Sequence, residues 1–427
     1  MSSLRLGIVT FDWYPFEVRV LRMSEAAISA GYEVDIICLR QPGQKFFEVD
    51  RGIRIYRLPI KRFSYSLSQK MLNWCIFLIV AAVVVTWLYV RRSYDIVHVH
   101  NMPDFLVFSA LIPKLMGAKV ILDIQDVTPE LMGAKARGKS RDIVVRFAVW
   151  QERISVNFAH HVVTTGSIFE DVLLKRGFPK KKITSILNSA DPKLFPPSRR
   201  CSPSFDPAKN EQPFIIMYYG TLEERNGLDI AIRALALALK EAPQLRLDIQ
   251  GDGGHIPYLK QLSVELGVSD RVIFYPSTTA DKLVGFVVHG DVGIIPYRTN
   301  GFADLVLPTK AYEFAWMQRP MVASNTHAIR SMFRPESIIL CDPAEPESFA
   351  GAIIDLYQNP ARRKLLVGNA AQDYEPYQWE SQARRYQYLL AALARKEFAA
   401  PSQNERQAGD SLEHESSEYE MQEGQYV

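Results

Sequence analysis

The stretch "FIIMYYGTLEERNGLDIAIRALALALKEAPQLRLDIQGDGG", residues 214–254, alternates between two kinds of hydrophobic pattern. An apolar run at Phe214–Tyr219 ends in a glycine and a polar turn. Helical periodicity follows over Leu228–Lys240, and a second apolar run spans Leu245–Gln250. Strands that alternate with helices in this way are typical of a parallel sheet with crossover helices. The stretch therefore predicts an α/β fold.

The same alternation extends over most of the chain. In the first half the predicted strands are Leu4–Phe11, Glu33–Leu39, Ile53–Arg57, Asp95–Val99, Lys119–Ile124, His161–Thr165 and Ile183–Leu187. In the second half they are Phe214–Tyr219, Leu245–Gln250, Val272–Tyr275, Val292–Pro296, Met321–Ala323 and Ile338–Leu340. Residues 196–212, rich in proline, serine and charge, are typical of a linker. We therefore expect two α/β domains of similar size, residues 1–195 and 213–376, with a cleft between them.

Charge is distributed unevenly along the 427 residues. Residues 399–427 carry seven acids and one base, which leaves about +9 for the rest because the whole chain is +3. The acidic tail has few aliphatic residues and is predicted to be disordered. The basic body favours anionic partners such as phosphates or lipid headgroups. We do not expect nucleic acid as a partner, because no basic helix or aromatic-basic motif is present.

Several site types have no support in the sequence. The four cysteines, Cys38, Cys75, Cys201 and Cys341, are far apart and predict neither a disulfide framework nor a zinc site. The first strand-to-helix turn, "FDWYPFEVRV", lacks the glycine pattern of dinucleotide oxidoreductases. No closely spaced acidic pair suits a divalent metal. The chain starts directly with a strand pattern, so we expect a cytoplasmic protein without a signal peptide, a metal or a resident cofactor.

The segment "LPTKAYEFAWMQRPMVAS", residues 307–324, contains the sharpest candidate site. Pro308 and Thr309 are typical of a helix start. Lys310 then lies in the first turn, where a cation is unfavourable against the helix dipole, and Glu313 shares its face one turn later. We interpret Lys310 and the helix N-terminus as a phosphate site, with Glu313 accepting hydrogen bonds from a ribose diol. The alternative is a solvated Lys–Glu pair.

Three further groups are candidates. A strand ends at Gly220, and Arg225 projects from the following turn, where a phosphate could lie; the alternative is a surface arginine. Gly251 ends the next strand in a similar glycine turn. His98 and His100 share one face of a strand because they are two residues apart. Either both are packed inside the domain or His100, nearer the carboxyl end, reaches the cleft.

Taken together, these patterns resemble a known family. The chain resembles the retaining nucleotide-sugar glycosyltransferases of family 4, from about residue 4 to about residue 395. These enzymes have the GT-B fold, in which two Rossmann-like domains face each other across a cleft. The motifs that carry the resemblance are "GYEV", "YDIVHVHN", "AKVILDIQDVTPEL", "ILNSADPKLF", "YYGTLEERNGLDIAIRA", "IQGDGG", "RVIFYPSTTADKL", "DVGIIPY" and "PTKAYEFAWMQRPMVAS". It also implies that residues 377–398 form a closing helix that returns to the first domain.

The resemblance implies roles for residues on both sides of the cleft. Arg225 and Lys310 would hold the diphosphate of a UDP- or GDP-type donor, and Glu313 the ribose. The other implied donor-binding residues are Gly220, Gly251, Phe274, Tyr275, Pro276 and Thr309. Those implied near the donor sugar or the acceptor are Arg19, His100, Asn101, Gln125, Asp126 and Asn188. Basic side chains would neutralise the leaving diphosphate without a metal, and front-face attack would retain the anomeric configuration.

The chain departs from the family pattern at several places, one of which is the first loop, where "YPFEVRV" replaces a glycine-rich sequence. Leu305 stands where the family usually has an acid, and Gln125 replaces the usual histidine before Asp126. Thr221 and Asn226 replace the common "GR…KG" pair, which leaves Arg225 to serve instead. Two alternatives to a glycosyltransferase therefore remain: a sugar-nucleotide epimerase on the same fold, and a catalytically inactive scaffold at the membrane.

Residues 71–90 form an uncharged apolar run that is long enough to span a bilayer. The strands on either side of it belong to one predicted sheet, so a crossing would separate strands that must pair. Aromatic residues near its ends and basic residues beside it suit a membrane interface: Trp74, Trp87 and Tyr89, and Lys61, Arg62, Lys70, Arg91 and Arg92. We therefore expect a peripheral helix on the cytoplasmic face that brings the cleft to a lipid-linked glycan, as in cell-surface polysaccharide synthesis. The alternative is a buried core helix.

Overall fold

Two parallel sheets organise the chain in the computed structural model, which describes residues 4–62, 67–135, 141–200, 205–207, 212–299 and 304–394. The first sheet has eight strands in the order β3-β4-β2-β1-β5-β6-β7-β8. Its strands are β1 Arg5–Trp13, β2 Glu33–Leu39, β3 Phe47–Asp50, β4 Ile53–Leu58, β5 Ile96–His100, β6 Lys119–Ile124, β7 His161–Thr164 and β8 Ile183–Ser185.

The second sheet has six strands in the order β11-β10-β9-β12-β13-β14. They are β9 Phe214–Thr221, β10 Leu245–Asp252, β11 Val272–Tyr275, β12 Val292–Ile295, β13 Met321–Ser324 and β14 Ile339–Cys341. The expected α/β class with two Rossmann-like domains is confirmed. The sequence did not predict β3, the one antiparallel strand among the described residues. It is a four-residue edge strand with a mostly exposed pattern, so it lacks the apolar run that marks the others.

Helices connect the strands and cover both sheets. Before the second sheet they are α1 Val18–Ser29, α2 Leu67–Arg92, α3 Leu111–Leu115, α4 Thr128–Lys135, α5 Arg141–Phe158 and α6 Ser167–Lys175. In the remainder they are α7 Leu228–Ala238, α8 Ile256–Glu265, α9 Ala280–His289, α10 Thr309–Trp316, α11 His327–Arg330, α12 Pro346–Gln358, α13 Pro360–Tyr374 and α14 Trp379–Leu393. Short 3₁₀ helices at Asp104–Ala110 and Glu224–Asn226 follow β5 and β9.

Each sheet has a point at which the strand order reverses. In the first sheet this point lies between β1 and β5, and in the second it lies between β9 and β12. Ligands of open α/β sheets bind in the crevice beyond the carboxyl ends of the strands at such points. The topology therefore directs attention to the loops after β1, β5, β9 and β12.

The last helix, α14, packs against the first domain although it follows the second in sequence. Tyr386 and Leu390 are buried in the same hydrophobic cluster as α1 and β1. Gln382 accepts a 3.0 Å hydrogen bond from the Leu187 amide, and the Arg22 guanidinium lies 4.0 Å from the centre of the Trp379 ring. The chain thus crosses between the domains a second time, which fixes how their carboxyl edges face each other.

The second domain begins earlier than the sequence indicated. Phe205, inside the expected linker, is buried against Phe214 and Tyr357, because an aromatic ring there completes the core under β9. Part of the expected linker, residues 201–204 and 208–211, lies outside the described residues. The acidic tail, residues 399–427, and the end of the expected closing segment, residues 395–398, also lie outside them.

The apolar helix α2 has two different faces. Trp74, Phe77, Ala81, Val85 and Leu88 are buried against the first sheet, as the core-helix interpretation requires. The opposite face is exposed. By length and composition Ser68–Arg92 could cross a membrane, with a mean hydropathy of 2.3, but α2 connects β4 and β5 of one sheet and packs along that sheet. In this fold α2 does not cross a bilayer.

Candidate functional site

A cleft of about 1060 Å³ lies between the carboxyl edges of the two sheets. Its lining from the first domain includes Gln125, Asp126, Thr165, Glu170 and Asn188. From the second domain and the junction, it includes Tyr297, Leu305, Leu307, Pro308, Thr309, Tyr312, Tyr377 and Arg385. Four residues predicted from the sequence, Gln125, Asp126, Asn188 and Thr309, therefore share this cleft.

Lys310 lies beneath the cleft in the first turn of α10. Its ammonium donates a 2.8 Å hydrogen bond to the Tyr297 hydroxyl and lies 4.6 Å from the centre of the Tyr218 ring. Gly220 lies beside the ammonium, since a Cβ there would be in ordinary contact with Lys310 Nζ at 3.6 Å, and its φ of +126° lies in the region that favours glycine. The structure thus brings Lys310 to the carboxyl end of β9, next to the reversal point.

The charge of Lys310 is buried without an ionic partner among the described residues. Burial alone would lower the pKa of Lys310, but the oxygens of Tyr297 and Tyr218, together with the nearby Glu313 carboxylate, outweigh burial and raise it, so the side chain stays charged. A buried charge is costly unless it is paired. An anion at this place would supply the missing countercharge.

Glu313 lies one turn further along α10 and has a different partner. Its carboxylate accepts a 2.5 Å hydrogen bond from the Tyr219 hydroxyl. Burial raises the pKa of Glu313, while Tyr219, Lys310 and Arg22 oppose the rise. Burial and the neighbouring carboxylate raise the pKa of Tyr219 well above its ordinary value, so the phenol remains a donor. Lys310 and Glu313 do not pair with each other, which argues against the solvated Lys–Glu interpretation.

The remaining second-domain candidates lie along the same edge. Gly251 pairs with Gly220 between β10 and β9, and a Cβ at Gly251 would be 1.8 Å from the Gly220 carbonyl oxygen. Arg225 is exposed in the turn after β9, and its own carbonyl accepts a 3.1 Å hydrogen bond from the Arg298 amide. Its guanidinium pairs with no carboxylate of the described residues.

The predicted border of a nucleobase, Phe274 to Pro276, lies at the end of the edge strand β11. Tyr275 and Pro276 are exposed, and Phe274 is half-buried. The Tyr275 ring contacts Phe286 edge-on at 5.8 Å, and Phe286 lies 6.4 Å from Tyr219. A row of aromatic rings therefore leads from the partner of Glu313 to the exposed end of β11.

The resemblance implied that Arg19 faces the cleft, but in the structure it does not. It is buried, and its Nε and Nη2 donate to both carboxylate oxygens of Asp123 at 2.7 and 3.0 Å. Asp123 is buried in β6 and requires a cationic partner there. Arg19 Nη1 donates to Asn188 Oδ1 at 2.8 Å, so Arg19 acts on the cleft only by orienting Asn188.

His98 and His100 are fully buried and stack on each other with ring centres 4.5 Å apart. His98 Nδ1 lies 2.8 Å from the Tyr386 hydroxyl of α14. His100 Nδ1 lies 3.1 Å from the side-chain amide nitrogen of Gln125, Nε2. Burial lowers the pKa of both imidazoles. His100 therefore does not line the cleft but contacts Gln125, which does.

These two histidines and Asp123 bring three groups that could bind a metal, two imidazoles and one carboxylate, within 4.8 Å of one another. Both oxygens of Asp123 already accept from Arg19. A metal cation beside that guanidinium would be repelled. The cluster is therefore better suited to joining β5, β6 and α14 than to binding a metal.

Asn101 is also buried and supports the cleft from behind. Its amide nitrogen donates to Asp104 Oδ1 at 2.8 Å and to the Asp126 carbonyl at 2.9 Å. Its side-chain oxygen accepts a 2.8 Å hydrogen bond from the backbone N–H of Gln125. Asn101 thus fixes the loop that carries Gln125 and Asp126, without contacting the cleft itself.

Leu305, at the position of the family's usual acid, contributes an apolar contact across the cleft. It packs with Val127 and Phe169 of the first domain, together with Leu307 from its own loop. This contact joins the two cleft walls through hydrophobic burial and leaves no carboxylate at position 305.

Sequence reasoning missed the two tyrosines that hydrogen-bond to Lys310 and Glu313. Tyr219 and Tyr297 come from the ends of β9 and β12, the two strands that flank the reversal point. A tyrosine just before or after a glycine or proline turn at a strand end was the available signal, in "YYGT" and "IIPY". Only the fold brings these hydroxyls to Lys310 and Glu313.

Comparison with known protein families gives two consecutive matches. The model of the glycosyl transferase 4-like domain matches residues 16–189, and that of glycosyl transferases group 1 matches residues 203–373. The first match covers the first sheet except β1, and the second covers the whole second sheet.

Two curated relatives differ in how much of their length is matched. An uncharacterized glycosyltransferase of Methanocaldococcus jannaschii is 23% identical over 394 residues, covering 89% of this chain and 96% of the relative. A GDP-mannose-dependent alpha-(1-6)-phosphatidylinositol monomannoside mannosyltransferase of Mycolicibacterium smegmatis is 25% identical over 185 residues. That second match covers 42% of this chain and 47% of the relative.

Among solved structures, Anabaena HepE in complex with UDP and glucose superposes with a TM-score of 0.65. The superposition covers 91% of this chain and 100% of that one, at 14% sequence identity. At this identity the likeness concerns the fold.

Proposed function

The chain belongs to the GT4-type glycosyltransferases with the GT-B fold, and from this premise we propose the reaction in more detail. It transfers a sugar from a UDP- or GDP-linked donor to a lipid-linked glycan acceptor with retention of the anomeric configuration. The product contributes to a cell-surface polysaccharide or glycoconjugate.

The buried Lys310 ammonium carries the assignment of the donor site. It lies at the carboxyl end of β9 beside Gly220, with a hydroxyl as its hydrogen-bonding partner and no carboxylate among the described residues. A diphosphate there would satisfy the charge and meet the N-terminus of α10. As the sugar leaves, negative charge grows on the diphosphate, and a fixed cation stabilises that transition state more than the ground state.

Glu313 supports the neighbouring ribose site. Tyr219 occupies one side of its carboxylate, and the remaining lone pairs can accept two hydroxyls of a ribose. The exposed aromatic end at Tyr275 then offers a surface for the base. Arg225, exposed in the turn after β9, reaches the outer phosphate oxygens.

The first domain presents neutral hydrogen-bonding groups to the sugar. Gln125 and Asn188 line the cleft opposite Thr309 and are held by His100 and Arg19 from behind. As the family resemblance implies, the donor's own phosphate takes the proton from the attacking hydroxyl. That front-face arrangement is the basis for proposing retention.

The bound ligands of one similar protein and the substrates named for another support the choice of donor and acceptor. The Anabaena structure contains UDP and glucose, and the mycobacterial relative is named for GDP-mannose and a phosphatidylinositol mannoside. The donor is accordingly a UDP- or GDP-sugar, and the acceptor is carried on a lipid.

A transfer assay tests the proposal. Purified protein is incubated with UDP- and GDP-sugars and a lipid-linked glycan extract, and labelled lipid is measured. Wild type and the exposed-surface control Lys364→Ala should transfer one sugar, and Lys310→Met should not. An epimerase would interconvert sugar nucleotides without an acceptor, and an inactive scaffold would bind donor without turnover. Either result would overturn the proposal.

A further inference from the structure

Several helices of the first domain pack on the same side of the first sheet. Helices α2 and α5 and the 3₁₀ segment that leads into α3 contribute to one hydrophobic cluster, whereas α1 and α14 contribute to the cluster on the other side. Tyr89 of α2 donates a 2.9 Å hydrogen bond to the Met116 carbonyl after α3, and Phe108 contacts Phe158 of α5. The outer faces of these helices therefore point away from the sheet in one direction.

Each of these helices exposes several apolar side chains. On α2 the exposed residues recur every three or four positions and form one stripe: Leu72, Ile76, Ile79, Val83, Trp87 and Val90. On α3 and just after it, Leu111, Ile112, Leu115 and Met116 are exposed. On α5, Ile143, Phe147 and Trp150 are exposed with helical spacing, opposite the buried Ala148 and Glu152. This number of exposed apolar side chains on neighbouring helices indicates an interaction site.

An apolar furrow extends the surface beyond α2. Val83, Val84 and Trp87 form one wall, and Phe46, Phe47 and Tyr56 of the β3–β4 hairpin form the other. The furrow encloses about 580 Å³. Phe46 and Phe47 are themselves exposed, so the hairpin continues the apolar surface to the edge of the sheet.

Charge around the surface indicates its occupant. The sequence of α2, α3 and the first ten residues of α5 contains one acid, Asp142. The same segments contain six cations. Arg92 is ion-paired with Asp35 and Glu33, and Lys114 donates to the Phe158 carbonyl, which leaves four for the surface: Lys70, Arg91, Arg141 and Arg146. Arg91 lies over the Trp87 ring at 3.9 Å and Lys70 over the Trp74 ring at 4.9 Å, so cation and tryptophan meet at both ends of α2.

We propose that the outer faces of α2, α3 and α5 form one lipid-binding surface that holds the first domain flat on an anionic bilayer. Apolar side chains enter the acyl boundary, exposed Trp87 and Trp150 lie at headgroup level, and the surrounding cations bind headgroup phosphates. A second copy of the chain fits less well, because a two-fold contact between identical surfaces would bring these cations together.

The surface deepens the proposed function and rests on its lipid-linked acceptor. Helix α5 ends next to the amino end of β7, so its first turns, with Ile143 and Phe147, lie toward the carboxyl edge that borders the cleft. Helix α2 likewise starts after the carboxyl end of β4. An acceptor anchored in the same bilayer would therefore enter the cleft without leaving the membrane. We propose that the protein lies on the cytoplasmic face of the membrane.

Vesicle sedimentation of the full chain tests the surface. Vesicles of phosphatidylcholine with about one-third phosphatidylglycerol are compared with phosphatidylcholine alone. The variants are Ile79→Gln/Val83→Gln on α2 and Ile143→Gln/Phe147→Gln on α5. The matched control is Val264→Gln/Leu365→Gln, two residues of the second domain with 67% and 61% exposure.

Wild type and the control should pellet with the anionic vesicles, with binding weakened by salt. Each helix variant should bind about tenfold less, because two apolar side chains no longer enter the lipid. Wild type that remains in the supernatant would overturn the proposal. So would an α5 variant that binds like wild type, or a dimer in sedimentation velocity that both variants dissolve.

Binding of UDP and GDP, measured on the same samples, separates this proposal from the proposed function. If nucleotide binds but vesicles do not, only the lipid surface is wrong. If vesicles bind but neither nucleotide does, the surface stands and the transfer function fails.

Discussion

Lys310 and Tyr297 are joined by a 2.8 Å hydrogen bond from a buried ammonium to a phenol oxygen. The two residues come from α10 and the end of β12, and the bond holds the ammonium at the carboxyl end of β9. The pair keeps a fixed cation where we propose that the leaving diphosphate of a nucleotide sugar lies. The following predictions depend on this arrangement and on the network around it.

Lys310→Met should reduce sugar transfer by about 10²- to 10³-fold, because it removes the cation that stabilises the leaving group. Methionine fills similar volume without a charge, so the thermal unfolding midpoint should remain near that of wild type. Turnover and unfolding are measured together. Near-normal turnover in a folded variant would refute the assignment of Lys310.

Glu313→Ala should abolish most transfer, whereas Tyr219→Phe should act more mildly. Removing the phenol hydroxyl leaves the carboxylate in place but frees its orientation, so the donor KM should rise about fivefold with little change in kcat. Tyr258→Phe, at an exposed tyrosine of α8, is the matched control. A fall in kcat at unchanged KM for Tyr219→Phe would contradict a role in holding the ribose site.

Transfer should survive EDTA. Lys310 and Arg225 supply the positive charge, and both oxygens of Asp123 in the His98–His100 cluster are already bound by Arg19. Initial rates are compared before and after chelation and after adding Mg²⁺ or Mn²⁺. Loss of activity that either metal restores would show that a metal takes part.

The buried imidazoles of His98 and His100 should make the protein less stable in acid. Burial lowers the pKa of both imidazoles in the folded state. Below the ordinary histidine pKa of about 6.5, the imidazoles are therefore protonated in the unfolded chain while they are still neutral in the folded chain. Each histidine should therefore reduce the free energy of unfolding by up to about 1.4 kcal/mol per pH unit as the pH falls below that value.

Urea unfolding of wild type and of a His98→Asn/His100→Asn variant between neutral and acidic pH isolates this effect. Other groups, such as Glu152, whose pKa burial raises to about 7, titrate in both proteins and cancel in the difference. The variant should lose less stability on acidification. Parallel pH profiles would contradict the assignment of neutral buried rings.

The sequence predicts the parts of the site that lie on one element. Lys310 and Glu313 are separated by one helical turn, and periodicity alone places them on one face. Gly220 and Gly251 end apolar runs that are visible as strands. The sheets were predictable for the same reason, except β3, which is too short and too polar to produce an apolar run.

Contacts between distant elements could not be predicted. Tyr219 is 94 residues from Glu313, and no local pattern joins them. Arg19 was expected in the cleft because the family resemblance implied it, but the buried Asp123, 104 residues away, binds its guanidinium. Ile143, Phe147 and Trp150 have the spacing of a buried helix face, and only the packing of α5 shows that they are exposed.

The central claim is that a nucleoside diphosphate binds at the carboxyl end of β9 against Lys310. Isothermal titration of UDP and of GDP in EDTA, with wild type, Lys310→Met and Lys364→Ala, tests it most directly. The account predicts that one of the two nucleotides binds wild type and Lys364→Ala at one site per chain, and binds Lys310→Met at least about tenfold more weakly. Equal affinity for Lys310→Met, or no binding of either nucleotide to wild type, would contradict it.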